Sequence, residues 1–162
     1  MILDEEVFAV ILAITIVGSA IGVALAIPRM DEPFTALGLL NEEGKIGEYP
    51  STVFVGQEVK LNLFIYNHLG YTALFKYQVK EGDGEIPNEK SPLTGKKVLN
   101  EGFIILPHKE NKTIPLTIVF RNPKLNQTLV CELYYYNPDS GLWEYTGRYV
   151  FLRLNITEVI LP

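Results

Sequence analysis

From Val7 to Ile27 the chain reads VFAVILAITIVGSAIGVALAI, 21 residues without a charge. At about 1.5 Å per residue, a helix of that length reaches roughly 31 Å, about the thickness of a bilayer's hydrocarbon core. Lipid offers the backbone no hydrogen-bond partner, so a run that crosses must satisfy its own amides as a helix, β-branched residues included. Everything after Arg29 mixes polar and apolar residues in ordinary proportion. The expectation is a membrane anchor over residues 1–28 and one tethered domain over residues 29–162.

A cleaved signal peptide is the competing account, because Ala24-Leu25-Ala26 is a small-x-small triplet of the kind signal peptidase accepts. Signal peptides carry a basic lead-in and an apolar run of about 7–15 residues. Here the lead-in is Met1-Ile2-Leu3-Asp4-Glu5-Glu6 and the run is longer, which favours a retained anchor. Gly18, Gly22 and Ala26 fall four residues apart on one helical face, a small-xxx-small stripe through which another helix, of a second copy or of another membrane protein, could pack closely. Thr15 and Ser19 stand beside it.

Arg29 is the basic residue nearest the span, so the positive-inside rule says little about orientation and what it says leans against an external domain, although long domains cross largely regardless of charge. Three N-x-[ST] triplets begin at Asn111, Asn126 and Asn155. Chance would supply about one in a chain with this content of Asn, Ser and Thr. The excess places the domain outside the cell, with N-linked glycan as an expected modification.

The tethered part offers 134 residues, from Arg29 to Pro162, enough for one proper core. The single Cys131 has no internal disulfide partner. A net charge of −5, from 19 acidic and 14 basic residues without blocks, leaves neither a nucleic-acid footprint nor a polybasic lipid patch. Period-two alternation dominates. Val59, Leu61, Leu63 and Ile65 form one inward set; Ala73, Phe75, Tyr77 and Val79 a second; Ile114, Leu116, Ile118 and Phe120 a third, with Pro115 confining that strand to an edge or to its own start. Leu129, Cys131, Leu133 and Tyr135 make the fourth, and Val150, Leu152, Leu154 and Ile156 the fifth. Phe34–Leu40, Val98–Leu106 and a short Thr52–Val55 complete the reading, and Asn137-Pro138-Asp139-Ser140-Gly141 makes a hairpin of its two flanking strands. The predicted fold class is all-β: an immunoglobulin-like antiparallel sandwich of about seven strands behind one N-terminal transmembrane helix.

Glu32-Pro33-Phe34-Thr35-Ala36-Leu37-Gly38-Leu39-Leu40, then Gly44-Lys45, Tyr49-Pro50, Val55-Gly56-Gln57, Asn67-His68 and the closing Leu154-Asn155-Ile156-Thr157-Glu158, resemble the mainly archaeal membrane family called domain of unknown function 1616. Its pattern has E-x-F-T-E, G-K-A, Y-P, V-G-E and N-H-E; Ala36, Ile46, Gln57 and Leu69 depart from it. The resemblance covers most of the tethered domain. It implies a surface-facing sandwich on an archaeal membrane protein and transfers no catalytic residue. Family members often carry several spans ahead of the sandwich, whereas this sequence has one.

Candidates for chemistry are few. His68 and His108, the only histidines, sit in different connections without Cys or carboxylates at metal-ligand spacing. His68 reads as a loop-binding side chain, and Cys131 as a buried hydrophobe. Glu81-Gly82-Asp83-Gly84-Glu85 could hold Ca²⁺ loosely but lacks a calcium loop's spacing, and reads as a solvated turn opening the least structured stretch, Glu81–Lys97. No catalytic, cofactor or metal site is expected. Tyr134-Tyr135-Tyr136 and Trp143-Glu144-Tyr145 flank the hairpin turn. Phe64, Tyr66, Tyr134 and Tyr136 share the outward register and are expected to form an aromatic stripe on one sheet face, either cross-strand packing or a partner surface. The function these features point to is a non-enzymatic, membrane-anchored surface module, an envelope component or an accessory subunit of a membrane complex. A filament or stator-type subunit is the alternative, followed by a solute-binding subunit or an enzyme.

Overall fold

The computed structural model describes residues 4–27 and 32–161. Arg29 and the 28/29 boundary therefore lie outside the described residues. The chain divides into two units, the helical segment and everything from Pro33 onward.

Helix α1 spans Glu5–Ala26, 22 residues of mean hydropathy 2.6, and buries none of its side chains. It is long and apolar enough to cross a membrane. Glu5 and Glu6 occupy its first turn, where negative charge favours the helix dipole. Thr15 Oγ1 donates to the Ile11 carbonyl at 2.8 Å and Ser19 Oγ to that of Thr15 at 2.7 Å. Both hydroxyl protons are thus spent within the helix rather than across the glycine stripe. A Cβ placed on Gly18 or Gly22 would meet nothing within 4 Å, so that face is open to a neighbouring helix.

The second unit is a β-sandwich of eight strands: β1 Phe34–Leu40, β2 Thr52–Phe54, β3 Glu58–His68, β4 Ala73–Glu81, β5 Val98–Leu106, β6 Asn111–Val119, β7 Lys124–Asn137 and β8 Leu142–Thr157. One sheet runs β1-β3-β6 and the other β2-β8-β7-β4-β5. Alternate residues of both sheets face each other, which is the period-two signal made solid. Leu61, Leu63 and Ile65 from β3, Leu116 and Ile118 from β6, Phe75 and Val79 from β4, and Leu129, Cys131 and Leu133 from β7 fill the space between. Pro115 sits on β6, an edge strand, where its missing N–H costs no ladder bond.

One pairing departs from the all-antiparallel expectation. β2 runs parallel to β8, with Thr52 opposite Asn155; the two strands are far apart in the chain, so no tight turn forces them antiparallel. The β7–β8 hairpin closes as the turn residues predict, with Gly141 at φ 70° donating its N–H to the Asn137 carbonyl at 2.8 Å. The register of β7 against β8 shifts between Glu132 and Tyr134, and Gly147 of β8 has a φ of 77°. A Cβ there would lie 2.6 Å from the Glu89 carbonyl oxygen, so this irregularity lets the 82–97 segment approach the sheet.

Candidate interaction surface

The outer face of the five-stranded sheet has a covered half and an open half. The covered half is built by outward residues that the core pattern leaves out. Lys80 of β4 and Glu132 of β7 form an ion pair with Nζ to Oε2 of 2.6 Å and side-chain exposures of 7% and 0%. Glu132 Oε2 also accepts from the Tyr134 hydroxyl at 2.7 Å, and Oε1 from the Leu93 N–H at 2.6 Å; Lys80 Nζ donates further to the Leu93 carbonyl at 2.7 Å. Burial and the hydrogen-bonded Glu132 carboxylate push the Tyr134 phenol far above its ordinary value.

Leu93 belongs to the 82–97 connection, which the sequence presents as unstructured. It is a strap. Gly82 N–H donates to the Thr128 carbonyl at 2.7 Å, Asp83 N–H to Gln127 Oε1 at 2.7 Å, Thr128 Oγ1 to the Glu85 carbonyl at 2.6 Å, and the Tyr145 hydroxyl to the Asn88 carbonyl at 3.1 Å. The acidic cluster within it is neutralised by lysines, Lys96 reaching Glu85 at 2.8 Å and Lys124 reaching Asp83 at 3.4 Å. Among the described residues no buried side-chain polar atom lacks a partner, and no group of three His, Cys, Asp or Glu could hold a metal.

The open half is aromatic. Trp143 of β8 lies 5.6 Å from Phe103 of β5 and 5.5 Å, edge-on, from Tyr136 of β7, centroid to centroid. Lys76 Nζ stands 4.8 Å from the Tyr134 centroid and 4.9 Å from that of Trp143, within cation–π range of both. Phe103 is 60% exposed and Ile105 67%. These side chains share one face because Lys76 pairs with both Phe103 and Tyr134, and Tyr136 with Trp143.

The expected four-ring stripe does not form. Tyr134 and Tyr136 lie on this face, whereas Phe64 and Tyr66 are on β3, the middle strand of the other sheet, and face the opposite side of the sandwich. Alternation tells which side of its own sheet a side chain takes and is silent on which sheet the strand joins. Tyr134 is also half-buried and tied to Glu132. Phe103 is the most exposed aromatic of this face and half-buried Trp143 packs beside it; two aromatics in separate strands with the same outward parity were the available signal.

At one end of the sandwich the two histidines meet, although the sequence places them in different connections. Their ring centroids are 4.8 Å apart, Phe34 stacks on His68 at 4.7 Å, and the Tyr66 hydroxyl lies 3.2 Å from His68 Nδ1. His68's neighbours bind loop backbone here: His108 Nδ1 accepts the Gly70 N–H at 3.0 Å, and buried Asn67 donates to the Tyr71 and Leu106 carbonyls and accepts from the Leu69 N–H. Cys131 is fully enclosed and its thiol is pushed up to about 12 by burial and by Glu132, so it is no nucleophile. Asn111, Asn126 and Asn155 are all exposed.

Glu144, near the hairpin turn, accepts from the Tyr135 hydroxyl at 2.5 Å and from Asn137 Nδ2 at 2.8 Å, and these bonds hold its carboxyl below the usual carboxylate range. A depressed folded-state value stabilises the fold above the unfolded carboxyl's ~4.3, and the contribution fades as pH falls through the folded value. Glu144→Gln should therefore flatten the loss of urea midpoint on going from about pH 6 to about pH 3; an unchanged slope would assign the acid sensitivity to other carboxyls.

No family model matches the chain, and no curated protein matches it. Among solved structures it is similar to the CARDB domain of a Pyrococcus furiosus protein, crystallised in complex with di-metal ions, at 9% identity over 77% of this chain and 89% of that one, TM-score 0.48. It is also similar to a β-glucosidase from Listeria innocua in complex with glucose, at 10% identity over 82% of this chain and 17% of that one, TM-score 0.48. A third likeness is to a β-glucosidase from Erythrobacter marinus, at 10% identity over 76% of this chain and 16% of that one, TM-score 0.42. The chain thus spans less than a fifth of either glucosidase. The CARDB neighbour is, like this domain, a β-sandwich.

Proposed function

We propose that this chain is a non-enzymatic, single-pass surface module whose sandwich stands outside the cell and docks, through the open half of its five-stranded sheet, onto a larger membrane protein as an accessory subunit. The observation that carries the reading is the Phe103–Trp143–Tyr136 cluster. Phe103 and Tyr136 are exposed around half-buried Trp143, Lys76 stands over the rings, and the strap and the buried Lys80–Glu132 pair support the same sheet. Aromatic anchors on a preorganised surface are where binding energy concentrates. The 22-residue apolar helix supports the anchor, the surface placement of the three sequons supports the outward orientation, and the resemblance to domain of unknown function 1616 supports an archaeal envelope setting.

The test is copurification from native membranes in mild detergent, comparing wild type with Phe103→Thr/Trp143→Thr. Threonine keeps strand propensity and removes ring area. The protein that copurifies with wild type should be lost from the variant, while the melting temperature moves by only a few degrees, as for surface substitutions. Retained copurification with both rings gone would remove this face from the interface. A filament or stator-type subunit is the second reading, favoured by the open Gly18–Gly22 face of α1. In that case Gly18→Ile/Gly22→Ile, not the sheet variant, should abolish the large assemblies.

A further inference from the structure

We infer that Asn111 is the glycosylated asparagine of this protein and that its first sugars lie on the Tyr66–Phe64 strip of the three-stranded sheet. The inference rests on the extracytoplasmic reading above and makes it specific. The three sequons are equivalent in sequence and unlike in the fold. Asn126 sits at a β7 irregularity with a φ of 54°, its N–H donates to Asn155 Oδ1 at 2.8 Å, and its triplet ends in Thr128, which is fully buried with its hydroxyl committed to the Glu85 carbonyl at 2.6 Å. Asn155 has that same Oδ1 occupied, its N–H donates to the Ser51 carbonyl at 2.9 Å, and its strand is paired on one side with β2 and on the other with β7. Both triplets are thus held by bonds from two sides. Asn111, Lys112 and Thr113 are all exposed and open β6, an edge strand paired on one side only.

The register decides what an Asn111 glycan would touch. Tyr66 of β3 lies between Ala36 of β1 and Asn111 of β6, and Phe64 lies between Gly38 and Thr113. Ala36 and Gly38 add little cover on the β1 flank, so Phe64 and Tyr66 stay half-exposed although Tyr66 also meets Phe34 at 5.8 Å and His68 at 6.0 Å, and directly opposed side chains in a ladder stand about 5 Å apart. A sugar presents one apolar C–H face, which suits an aromatic ring with a polar tip. The donor is a lipid-linked sugar phosphate. The sugar's C1–O bond to phosphate breaks, a bond from C1 to Asn111 Nδ2 forms, and the displaced amide proton leaves with the phosphate. In this arrangement one sheet is sugar-covered and the other is left for a protein partner.

Glycopeptide mapping of the chain from native membranes should find glycan on Asn111 and none after Thr113→Ala. Enzymatic deglycosylation should lower the melting temperature of wild type by about 3–5 °C and that of Tyr66→Thr hardly at all. Glycan on Asn126 or Asn155 with Asn111 bare, or the same shift in both backgrounds, overturns the inference. Labelling of intact cells with a membrane-impermeant amine reagent separates the two levels. A bare Asn111 on a sandwich that labels overturns the glycan and leaves the orientation standing, whereas a sandwich that labels only after lysis overturns both.

Discussion

Lys80→Met is expected to lower the unfolding free energy of the sandwich by about 3–5 kcal/mol, the range observed when one partner of a buried ion pair is removed and the other stays behind unpaired. The reason is geometric. Glu132 has no exposed surface, and its carboxylate oxygens are met by Lys80, Tyr134 and the Leu93 N–H. With the ammonium gone, the Tyr134 hydroxyl and one backbone amide are left to solvate a carboxylate beneath the strap, and the Leu93 carbonyl loses its donor. The strap should loosen in the same variant, exposing the 82–97 segment to protease under native conditions. Lys80→Met/Glu132→Leu, which removes both charges at similar volume, should recover most of the stability. Urea unfolding followed through Trp143, the only tryptophan in the chain, measures the difference. Equal losses in the single and double variants would mean that packing rather than charge is at stake.

Asn67→Leu should cost on the order of 1–3 kcal/mol for the Leu106 carbonyl, which loses its donor in a buried site, with a smaller addition from the part-buried bonds to Tyr71 O and Leu69 N–H. Asn67 is fully buried, and its side chain joins the β3–β4 connection to the end of β5: Nδ2 reaches Leu106 O at 2.8 Å and Tyr71 O at 2.9 Å, while Oδ1 takes the Leu69 N–H at 2.9 Å. Its backbone carbonyl accepts the Lys109 N–H at 2.7 Å, fastening the β5–β6 turn as well. Asn67→Asp keeps the shape and the Leu69 bond but sets an acceptor against two carbonyls, so it should be no milder than leucine. Thermal unfolding of both variants checks this, and a near-neutral Asn67→Asp would mean that Nδ2 is dispensable. The expected first casualty is the His68–His108 contact, since both rings hang from the connections that Asn67 ties down.

The parts of this protein that were legible in advance are those written locally. A charge-free run of bilayer length is visible without knowing any neighbour. The inward sets Val59–Ile65, Ala73–Val79 and Leu129–Leu133 follow from burial alternating every second residue along one strand. Turn chemistry at Asn137–Gly141 and the edge position of Pro115 are equally local, because each follows from what a single residue's backbone can or cannot do.

Sheet membership was not local, and most of the functional surface depends on it. Tyr66 and Tyr134 carry the same outward parity, yet β3 pairs with β1 and β6 while β7 pairs with β4 and β8, so the rings face opposite ways. Lys80 and Glu132 read as ordinary solvated positions because nothing in their own strands announces the strap that seals them. His68 and His108 lie 40 residues apart in the chain and meet because the β3–β4 and β5–β6 connections share one end of the sandwich. The sequence by itself therefore determined the helix, the strands and the inward face of each. Tertiary structure alone decided which outward side chains share a surface and which are covered, since hydrogen-bond ladders between distant segments assemble the sheets and a strand's own alternation is indifferent to its partner.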